Sequence, residues 1–318
     1  HPRFELVYGD LSDDVSIDNL VKKIKPDYFI NFAANSFVGC SWDMPEQVMD
    51  VNTLGVLRCL EAIKKFQPNC RFYSAGSSEE WGDVDYSPQD IKHPIKPRSP
   101  YGASKVYRES HGLYAVHGIL FNHEGTKRGE EFVTRKITKG VARIKNHFNK
   151  AIDIEAPEPI ELGFLDAKRD WSDSEDFVKG VWLMLNQESG PRRNEFNRAF
   201  NETLEMYKNH CAIGSSDLDD IEREAHVPLL REYILASGET HSIREFVELA
   251  FKAAGINGYW QGEGEQEKYI YLDNPHGHNL VVINKKFYRP AEVNLLLGDC
   301  TPIKAELGWE PEISFDKL

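Results

Sequence analysis

Short apolar segments alternate with amphipathic helical segments along most of the chain, and this pattern constrains the fold more than any other feature. Five of the apolar segments read FELVYGD, DYFINFAA, CRFYSAGS, AVHGILFNHE and REYILASGE, and turn residues bound each of them. Short apolar strands that alternate with helices are typical of a parallel sheet buried on both faces. The sequence therefore predicts an α/β fold with a doubly wound parallel sheet.

The segments between these strands carry helical periodicity and helix start signals. Residues 45–66 begin with a proline and repeat apolar side chains at three-residue steps. Ser242 stands three residues before Glu245, which is the spacing of a capping box. Ser172 and Glu175 have the same spacing, so we expect a helix to begin after each serine.

The first predicted strand covers residues 4–8, and nothing around it resembles a phosphate-binding turn. A nucleotide-binding sheet of this type normally begins with a strand, a glycine-rich turn and a helix. Neither GxGxxG nor GxxGxxG occurs in the sequence. Because a sheet without its first strand would leave open edges, we expect that His1 is not the natural start or that a partner supplies those strands.

Composition and charge narrow the class of protein. The chain has 318 residues, 41% hydrophobic and 28% charged, which is enough for a large core in a globular protein. Its formal net charge is -13, whereas nucleic-acid binding needs a clustered excess of Lys and Arg. We therefore expect no nucleic-acid partner, and a small anionic ligand would need a local pocket of cations.

The cysteine and apolar patterns indicate an intracellular setting. The five cysteines are scattered, form no CxxC pair and have no histidine at metal-ligand spacing, so we expect reduced thiols and no metal site. No apolar run reaches the roughly 18 to 20 residues that span a bilayer, and the first residues do not resemble a signal peptide. The sequence therefore predicts a cytoplasmic protein with no membrane partner.

Residues 187–230 interrupt the alternation of strands and helices. Their charges and sparse apolar residues suggest one or two surface helices joined by a GSSDLDD turn. The segment is either an inserted cap or interaction element, or a surface insertion without a function.

Tyr101 and Lys105 lie four residues apart in the segment PYGASKVYRES. On a helix they would share one face, with Cβ atoms about 5 to 6 Å apart. An ammonium group at that distance favours the phenolate, so we expect a lowered tyrosine pKa and a candidate general base. The alternative is an ordinary amphipathic helix with a half-buried tyrosine and a solvated lysine.

The hydroxyl pair Ser77 and Ser78 precedes this segment at the end of a predicted strand. Together, serine and YxxxK resemble the triad of the short-chain dehydrogenase/reductase superfamily, in its extended sugar-nucleotide branch. The resemblance implies that Tyr101 exchanges a proton with a substrate hydroxyl while hydride passes to a nicotinamide cofactor. It also implies that Lys105 holds the cofactor ribose and that Ser77 helps to hold the reacting oxygen.

Glu79 distinguishes a dehydratase from a simple oxidoreductase. Hydride transfer and one proton transfer need no carboxylate, and a carboxylate beside the hydroxyl is costly to desolvate. A 4,6-dehydratase needs a base for the C5 proton of the 4-keto hexose and an acid for the departing C6 hydroxyl, and Glu79 is placed for both. Strand alternation would point Glu80 to the opposite side.

Longer segments resemble one family across almost the whole chain. The segments FYSAGSSEEWG, PRSPYGASK, GILFNHEGTKRGEEFVTRKI, LGFLDAKRDWSD, SGETHSIREFVE and FYRPAEVNLLLGDCT resemble the GDP-mannose 4,6-dehydratases. The resemblance implies an NADP-dependent carbon-oxygen lyase that converts GDP-mannose to GDP-4-keto-6-deoxy-mannose, with a place in GDP-fucose biosynthesis. It also implies a homodimer or homotetramer.

The resemblance carries the site residues over position by position. Its catalytic set is Ser77, where the family usually has threonine, with Glu79, Tyr101 and Lys105. Its cofactor-binding set is Asp10, Leu11, Phe32, Ala33, Ala34, Asn35, Ser36, Gln47, Tyr101, Lys105, His123 and Arg128. Its substrate-binding set is Ser78, Asn122, Val133, Lys136, Leu162, Gly163, Arg169, Arg244, Arg289 and Glu292. At three positions the chain departs from the family, because Asn35, Phe37 and Gln47 stand where Gln, His and Tyr are usual. We expect these departures to affect the affinity for the cofactor more than the chemistry.

The predicted architecture is a Rossmann-like sheet domain with a smaller α/β substrate domain. The cofactor domain covers 1–122, with 164–186 and 231–238 returning to it, and the substrate domain covers 123–163 and 239–318. Two alternatives stay open. A sugar-nucleotide epimerase or reductase would not need Glu79, and a catalytically silent nucleotide-binding protein would be compatible with the missing glycine-rich turn.

Overall fold

The computed structural model describes residues 3–82, 84–105, 113–149, 156–187, 230–273, 277–288 and 293–318. The helices are α1 (Asp14–Ile24), α2 (Pro45–Met49), α3 (Gly55–Phe66), α4 (Pro100–Ser104), α5 (Val133–Asn149), α6 (Ser174–Leu185), α7 (Ile243–Ala253) and α8 (Thr301–Leu307). The strands are β1 (Tyr28–Asn31), β2 (Arg71–Ala75), β3 (Ala115–Leu120), β4 (Asn122–Glu124), β5 (Ile160–Leu162), β6 (Lys168–Arg169), β7 (Trp171–Asp173), β8 (Tyr233–Leu235), β9 (His241–Ser242), β10 (Gly258–Gln261), β11 (Lys268–Tyr271) and β12 (Asn279–Ile283).

The first four-stranded sheet is parallel and has helices on both faces. Its strand order is β1-β2-β3-β8, and every neighbouring pair is parallel. Successive side chains of β2 point to opposite faces, so Phe72 packs with the core of α1 and α3, while Tyr73 packs with the core of α6. The predicted doubly wound parallel sheet is confirmed.

A second sheet has its own core. Its order is β10-β11-β12-β5, with two antiparallel pairs and one parallel pair between β12 and β5. The helices α5 and α7 cover it through Ile137, Ile144, Val247 and Phe251, which are fully buried. The sheet is the α/β layer expected of a smaller domain, and the predicted domain boundaries stay a prediction.

The parallel sheet brings several connections to one edge. β2 ends at Ala75 and β3 ends at Leu120, and parallel strands present their carboxyl ends on the same side. A short 3₁₀ turn, Ser78–Glu80, follows β2, and β4 follows β3 and pairs with β7. Functional side chains after these strands are therefore close together, as open α/β sheets require at a ligand crevice.

Two sequence predictions about elements are wrong. Residues 4–8 form no strand, and Phe4, Leu6 and Tyr8 are 74%, 85% and 100% exposed. Their apolar pattern is not enough, because a strand needs a neighbour for its backbone hydrogen bonds and no described segment pairs with them. The cap of α6 is Asp173, whose carboxylate accepts a hydrogen bond from the Glu175 amide, and Ser172 is not the cap.

The remaining predictions about elements have mixed outcomes. The predicted helix over 45–66 forms, but a π-helical turn at Asp50–Leu54 separates α2 from α3. The capping box of Ser242 and Glu245 is confirmed at the start of α7. Of the predicted insertion, residues 188–229 lie outside the described residues. Across the described ranges, no helix combines the length and apolar character that crossing a membrane requires.

The capping box of α7 generates a stability prediction. The Ser242 hydroxyl accepts a hydrogen bond from the Glu245 amide at 3.1 Å, and the Glu245 carboxylate accepts one from the Ser242 amide at 2.6 Å. Ser242→Ala should lower the free energy of unfolding by about 1 kcal/mol, measured by urea denaturation. Thr138→Ala on the exposed face of α5 is the control and should be neutral or slightly stabilising. Equal costs for the two substitutions would contradict the role of the cap.

Candidate active site

A cavity of about 1230 Å³ opens where the carboxyl edge of the parallel sheet faces the second sheet. Its walls come from the loop after β1, the turn after β2, α4, β4, the start of α5, the end of β5 and the loop after β12. Both sheets therefore contribute to one concave site, which is the usual location of a ligand site in an α/β protein.

The turn after β2 carries the hydroxyl and the carboxylate. The Ser77 hydroxyl accepts a hydrogen bond from the Glu79 amide at 3.3 Å, and the Glu80 carboxylate accepts one from the Ser77 amide at 2.8 Å. Glu79 is half-buried and lines the cavity, whereas Glu80 is fully buried. The prediction that Glu80 points away is confirmed, but a capped 3₁₀ turn separates the two side chains, not strand alternation.

Helix α4 carries the tyrosine and the lysine. Ser99 caps the helix by accepting a hydrogen bond from the Gly102 amide at 3.0 Å, and Pro100 occupies its first position. A Cβ atom at Gly102 would lie 2.4 Å from the Glu79 carbonyl oxygen. Glycine at this position therefore lets α4 approach the turn closely enough to bring all four predicted catalytic residues to one cavity.

Burial controls the protonation of Tyr101 and Lys105. Burial raises the pKa of Tyr101 to about 12, although the Ser77 hydrogen bond opposes this rise. Burial also lowers the pKa of Lys105 to about 8, against the favourable charge of Glu80. The Lys105 ammonium donates to the Ala75 carbonyl at 3.1 Å and lies 5.7 Å from the Tyr101 ring centroid. The predicted lowering of the tyrosine pKa is wrong for the chain itself, because burial raises the pKa and the charges of Glu79 and Glu80 add to the rise.

Part of the predicted cofactor set lines the cavity beside this pair. The lining members are Phe32, Ala34, Ser36, His123 and Arg128, together with Tyr101 and Lys105. His123 Nδ1 lies 3.0 Å from the Phe121 carbonyl oxygen, and burial lowers the pKa of its imidazole. Arg128 Nε lies 3.3 Å from the buried Glu124 carboxylate, so the guanidinium is oriented at the cavity wall.

Other predicted cofactor residues are not among the lining residues: Asp10, Leu11, Ala33, Asn35 and Gln47. The Asp10 carboxylate accepts hydrogen bonds from the amide and hydroxyl of Ser12, which lower its pKa. Gln47 is exposed on α2. The Asn35 amide donates to the side chain of Asn52 at 2.8 Å, so this position has a structural contact of its own.

Seven of the predicted substrate residues line the cavity: Ser78, Asn122, Val133, Lys136, Leu162, Gly163 and Arg169. The Lys136 ammonium lies 3.2 Å from the Phe287 ring centroid, and burial lowers its pKa. The structure does not bring Arg244 to the cavity, since its guanidinium is engaged by Asp166 at 2.9 Å and by Glu267. Arg289 and Glu292 lie outside the described residues.

The sequence reasoning missed an aromatic rim and one buried amide. Phe37, Trp42, Phe132, Phe287 and Tyr288 all line the cavity. In the sequence these residues are visible only as large aromatic side chains in loops. That pattern is a weak indication of a site, because the sequence does not show which loops lie together in the fold. Asn52 is 2% exposed, and its side chain donates to the Asn35 carbonyl and to the Ser104 hydroxyl. Asn52 thereby joins the loop after β1 to α4, and its signal was a polar residue in an apolar helical segment.

The buried Lys105 generates a prediction about stability and pH. A lysine whose pKa is about 8 in the folded state and near 10.5 when unfolded destabilises the fold below pH 8. Lys105→Met should therefore raise the free energy of unfolding at neutral pH by about 1–3 kcal/mol. The gain should shrink between pH 8 and 10.5, because the native lysine then loses its proton before the unfolded one does.

The measurement is denaturant unfolding of both proteins across this pH range. Lys268→Met, at an exposed position of β11, is the control and should leave stability unchanged. A gain that is the same at every pH would show that apolar packing is responsible, and not removal of a buried charge.

Solved structures share this fold at low sequence identity. RMD from Pseudomonas aeruginosa complexed with NADPH superimposes with a TM-score of 0.69 at 22% identity, over 98% of this chain and 84% of that one. A dTDP-glucose 4,6-dehydratase from Bacillus anthracis in complex with NAD superimposes with a TM-score of 0.64 at 16% identity, over 100% of this chain and 77% of that one. These similarities confirm the Rossmann-like fold class.

Sequence relatives are closer. The chain is 38% identical to a GDP-mannose 4,6 dehydratase of Drosophila melanogaster, over 99% of this chain and 70% of the relative. It is also 37% identical to the enzyme of that name from Homo sapiens, over 99% of this chain and 74% of the relative. The identity to the one from Sinorhizobium fredii is 37%, over 99% of this chain and 79% of the relative. The family model described as GDP-mannose 4,6 dehydratase matches residues 1–227 and 221–318. With matches of this extent, the chain belongs to the GDP-mannose 4,6-dehydratase family.

Proposed function

We propose that this protein converts GDP-mannose to GDP-4-keto-6-deoxy-mannose and water, with Glu79 as the acid-base group of the elimination. The observation that carries this proposal is that Glu79 lines the same cavity as Ser77, Tyr101 and Lys105. An epimerase or reductase needs the last three alone, whereas a dehydratase needs a carboxylate beside them. Membership of the family supports dehydratase chemistry.

The residues of the cavity fit a nicotinamide dinucleotide. Apolar Phe32 and Ala34 lie on the same wall as the cationic Arg128 and the buried Lys105, a combination that suits a flat ring joined to ribose and phosphates. When bound, such a cofactor accepts a hydride from the sugar and returns it within the same turnover. We propose NADP as this cofactor, which the NADPH complex of the Pseudomonas aeruginosa neighbour supports.

Tyr101, Lys105 and Ser77 would handle the proton of the C4 hydroxyl. Tyr101 accepts this proton as C4 is oxidised, and the Ser77 hydroxyl, bonded to the tyrosine, holds the reacting oxygen. Because burial gives the phenol a pKa of about 12, the phenolate needs a nearby positive charge. The Lys105 ammonium, with a pKa of about 8, supplies that charge at neutral pH.

Glu79 would then carry out the elimination. Its carboxylate removes the C5 proton, which the C4 ketone has made acidic, and the C5–H electrons form a C5–C6 double bond as the C6–O bond breaks. The same carboxyl group gives its proton to the departing hydroxyl, which leaves as water. With the cofactor bound, its hydride would be available for C6, and the proton added at C5 is balanced by the proton that Tyr101 accepted from the C4 hydroxyl. The reaction therefore involves no net oxidation or reduction.

The substrate residues supply charge for a diphosphate. Lys136, Arg169 and Asn122, at the start of β4, line the same cavity as the catalytic turn. In a chain of net charge -13, the two cations supply local positive charge that an anionic substrate needs. We propose that they bind the diphosphate of GDP-mannose.

Several finer features remain part of the proposal. We propose a cytoplasmic homo-oligomer, a dimer or tetramer, that acts in GDP-fucose biosynthesis. The domain division given by the sequence, with the cofactor on the parallel sheet and the substrate against the second sheet, is supported by the two separate buried cores.

Glu79→Gln is the decisive substitution. It keeps the shape of the side chain but removes its base, so formation of the keto sugar should fall by about 10²- to 10⁴-fold. Oxidation at C4 should persist, so reduced cofactor should accumulate on the protein. Product is measured by chromatography of the sugar nucleotides, and reduced cofactor by its absorbance.

The control is Glu61→Gln on the exposed surface of α3, which should leave turnover unchanged. Full activity of Glu79→Gln would remove this carboxylate from the mechanism. Epimerised sugar with no loss of water, in the unsubstituted protein, would instead favour the epimerase alternative.

A further inference from the structure

A buried pair, Glu80 and His117, lies directly beneath the turn that carries Ser77 and Glu79. Glu80 is 0% exposed and His117 is 7% exposed, and His117 Nε2 lies 3.1 Å from Glu80 Oε1 and 3.4 Å from Oε2. A carboxylate without access to water is costly unless several donors satisfy it. Glu80 and His117 therefore form a fixed, buried pair behind the cavity wall, and the Glu80 carboxylate is not solvated.

Glu80 holds the catalytic turn through its backbone. Its carboxylate oxygen Oε1 accepts the Ser77 amide at 2.8 Å and also faces His117 Nε2. The Ser77 hydroxyl accepts the Glu79 amide in return, which completes a capping box within three residues. The Glu80 carboxylate thus fixes the residue that carries the hydroxyl and, through it, the residue that carries the acid-base group.

The neighbouring backbone is fitted closely around this pair. A Cβ atom at Gly76 would lie 2.3 Å from His117 Nε2 and 2.7 Å from Glu80 Oε1. Any side chain at Gly76 would therefore displace the imidazole or the carboxylate. The pair occupies the space that the glycine leaves, so His117 on β3, Glu80 on the turn and Gly76 after β2 form one packed unit.

The hydrogen-bond pattern assigns the proton of the imidazole. Nε2 faces the carboxylate, whereas Nδ1 is buried and makes no hydrogen bond within the described part of the chain. A hydrogen on Nε2 satisfies the carboxylate, and a second hydrogen on Nδ1 would be buried without an acceptor. The geometry is therefore that of an Nε2–H donated to the Glu80 carboxylate.

The negative charge of Glu80 affects the pKa of both Tyr101 and Lys105. It raises the pKa of Lys105 against the lowering caused by burial, and it contributes to the raised pKa of Tyr101. Among the residues that the structure describes, the titratable and charged groups around Lys105 and Tyr101 are Glu79, Glu80, His117, His123 and Arg128. Among them, Glu80 is the anion that acts on Lys105 while lacking any exposure to the cavity's solvent.

We propose that Glu80 and His117 are positioning residues of this active site: the Glu80 carboxylate, held by His117, fixes the Ser77–Glu79 turn. Neither residue lines the cavity, so neither would contact the substrate. The inference rests on the proposed function, because turnover of GDP-mannose is its readout.

The first test compares Glu80→Leu, which removes the acceptor of the Ser77 amide, with Glu80→Gln, which keeps an acceptor but removes the charge. We expect kcat of Glu80→Leu to fall about 10- to 100-fold with little change in KM, because a displaced acid-base group affects chemistry more than binding. Glu80→Gln should keep most of the activity, and its alkaline fall in kcat should move to lower pH, because the charge that raises the pKa of Lys105 is lost. Circular dichroism and thermal unfolding check that each variant is folded.

A matched control exists on α7. Glu245 also completes a capping box with a serine and lies 3.8 Å from a histidine, His241, but its side chain is 53% exposed. Glu245→Gln should leave kcat and the pH profile unchanged. No loss of kcat in Glu80→Leu, or an equal loss in Glu80→Leu and Glu80→Gln, would overturn the proposal.

A second pair of variants decides the question if Glu80→Leu does not fold. His117→Gln retains a donor toward the carboxylate and should keep most of the activity, whereas His117→Leu lacks the donor and should lose kcat as Glu80→Leu does. Equal activities of these two variants would also overturn the proposal. If the unsubstituted protein does not convert GDP-mannose, the proposed function itself fails, and this outcome is separate from all of the variant results.

Discussion

The close contact between the turn after β2 and helix α4 is the constraint on which the rest of the site depends. The Glu79 carbonyl oxygen lies where a Cβ atom at Gly102 would be only 2.4 Å away, so a side chain there would push the helix outward. Ser77 and Glu79 stand on the turn, and Tyr101 and Lys105 stand on the helix. One backbone contact therefore sets the distance between the two halves of the chemistry, and the parallel sheet supplies the edge at which they meet.

Burial then decides which charges this arrangement can hold. It raises the pKa of Tyr101 to about 12 and lowers that of Lys105 to about 8, so both groups resist ionisation. At neutral pH Tyr101 is therefore a phenol and Lys105 is an ammonium. Loss of the tyrosine proton, which gives a phenolate, needs positive charge fixed nearby. Sequence spacing showed that the two residues are neighbours, but it could not show that burial would dominate the pKa of both.

The sequence predicted the frame of the fold and much of the cavity, for identifiable reasons. Apolar periodicity located β1, β2, β3 and β8, because short apolar runs between helical segments are typical of parallel strands, and the Ser242–Glu245 spacing located α7 correctly. Residues 4–8 carried the same apolar signal without a pairing partner among the described residues, so periodicity alone gave the wrong result. Arg244 failed differently, because its ion pairs with Asp166 and Glu267 come from residues distant in sequence.

Two adjacent glutamates have acquired separate environments through one local turn. A 3₁₀ turn has three residues per turn, so neighbouring side chains diverge by about 120°. Glu79 points to the cavity, whereas Glu80 points into the core between the Ser77 amide and His117. A strand would also have separated the two side chains, but it would not have returned the second carboxylate to the backbone of Ser77. The turn therefore gives the first glutamate access to a ligand and makes the second a support for it.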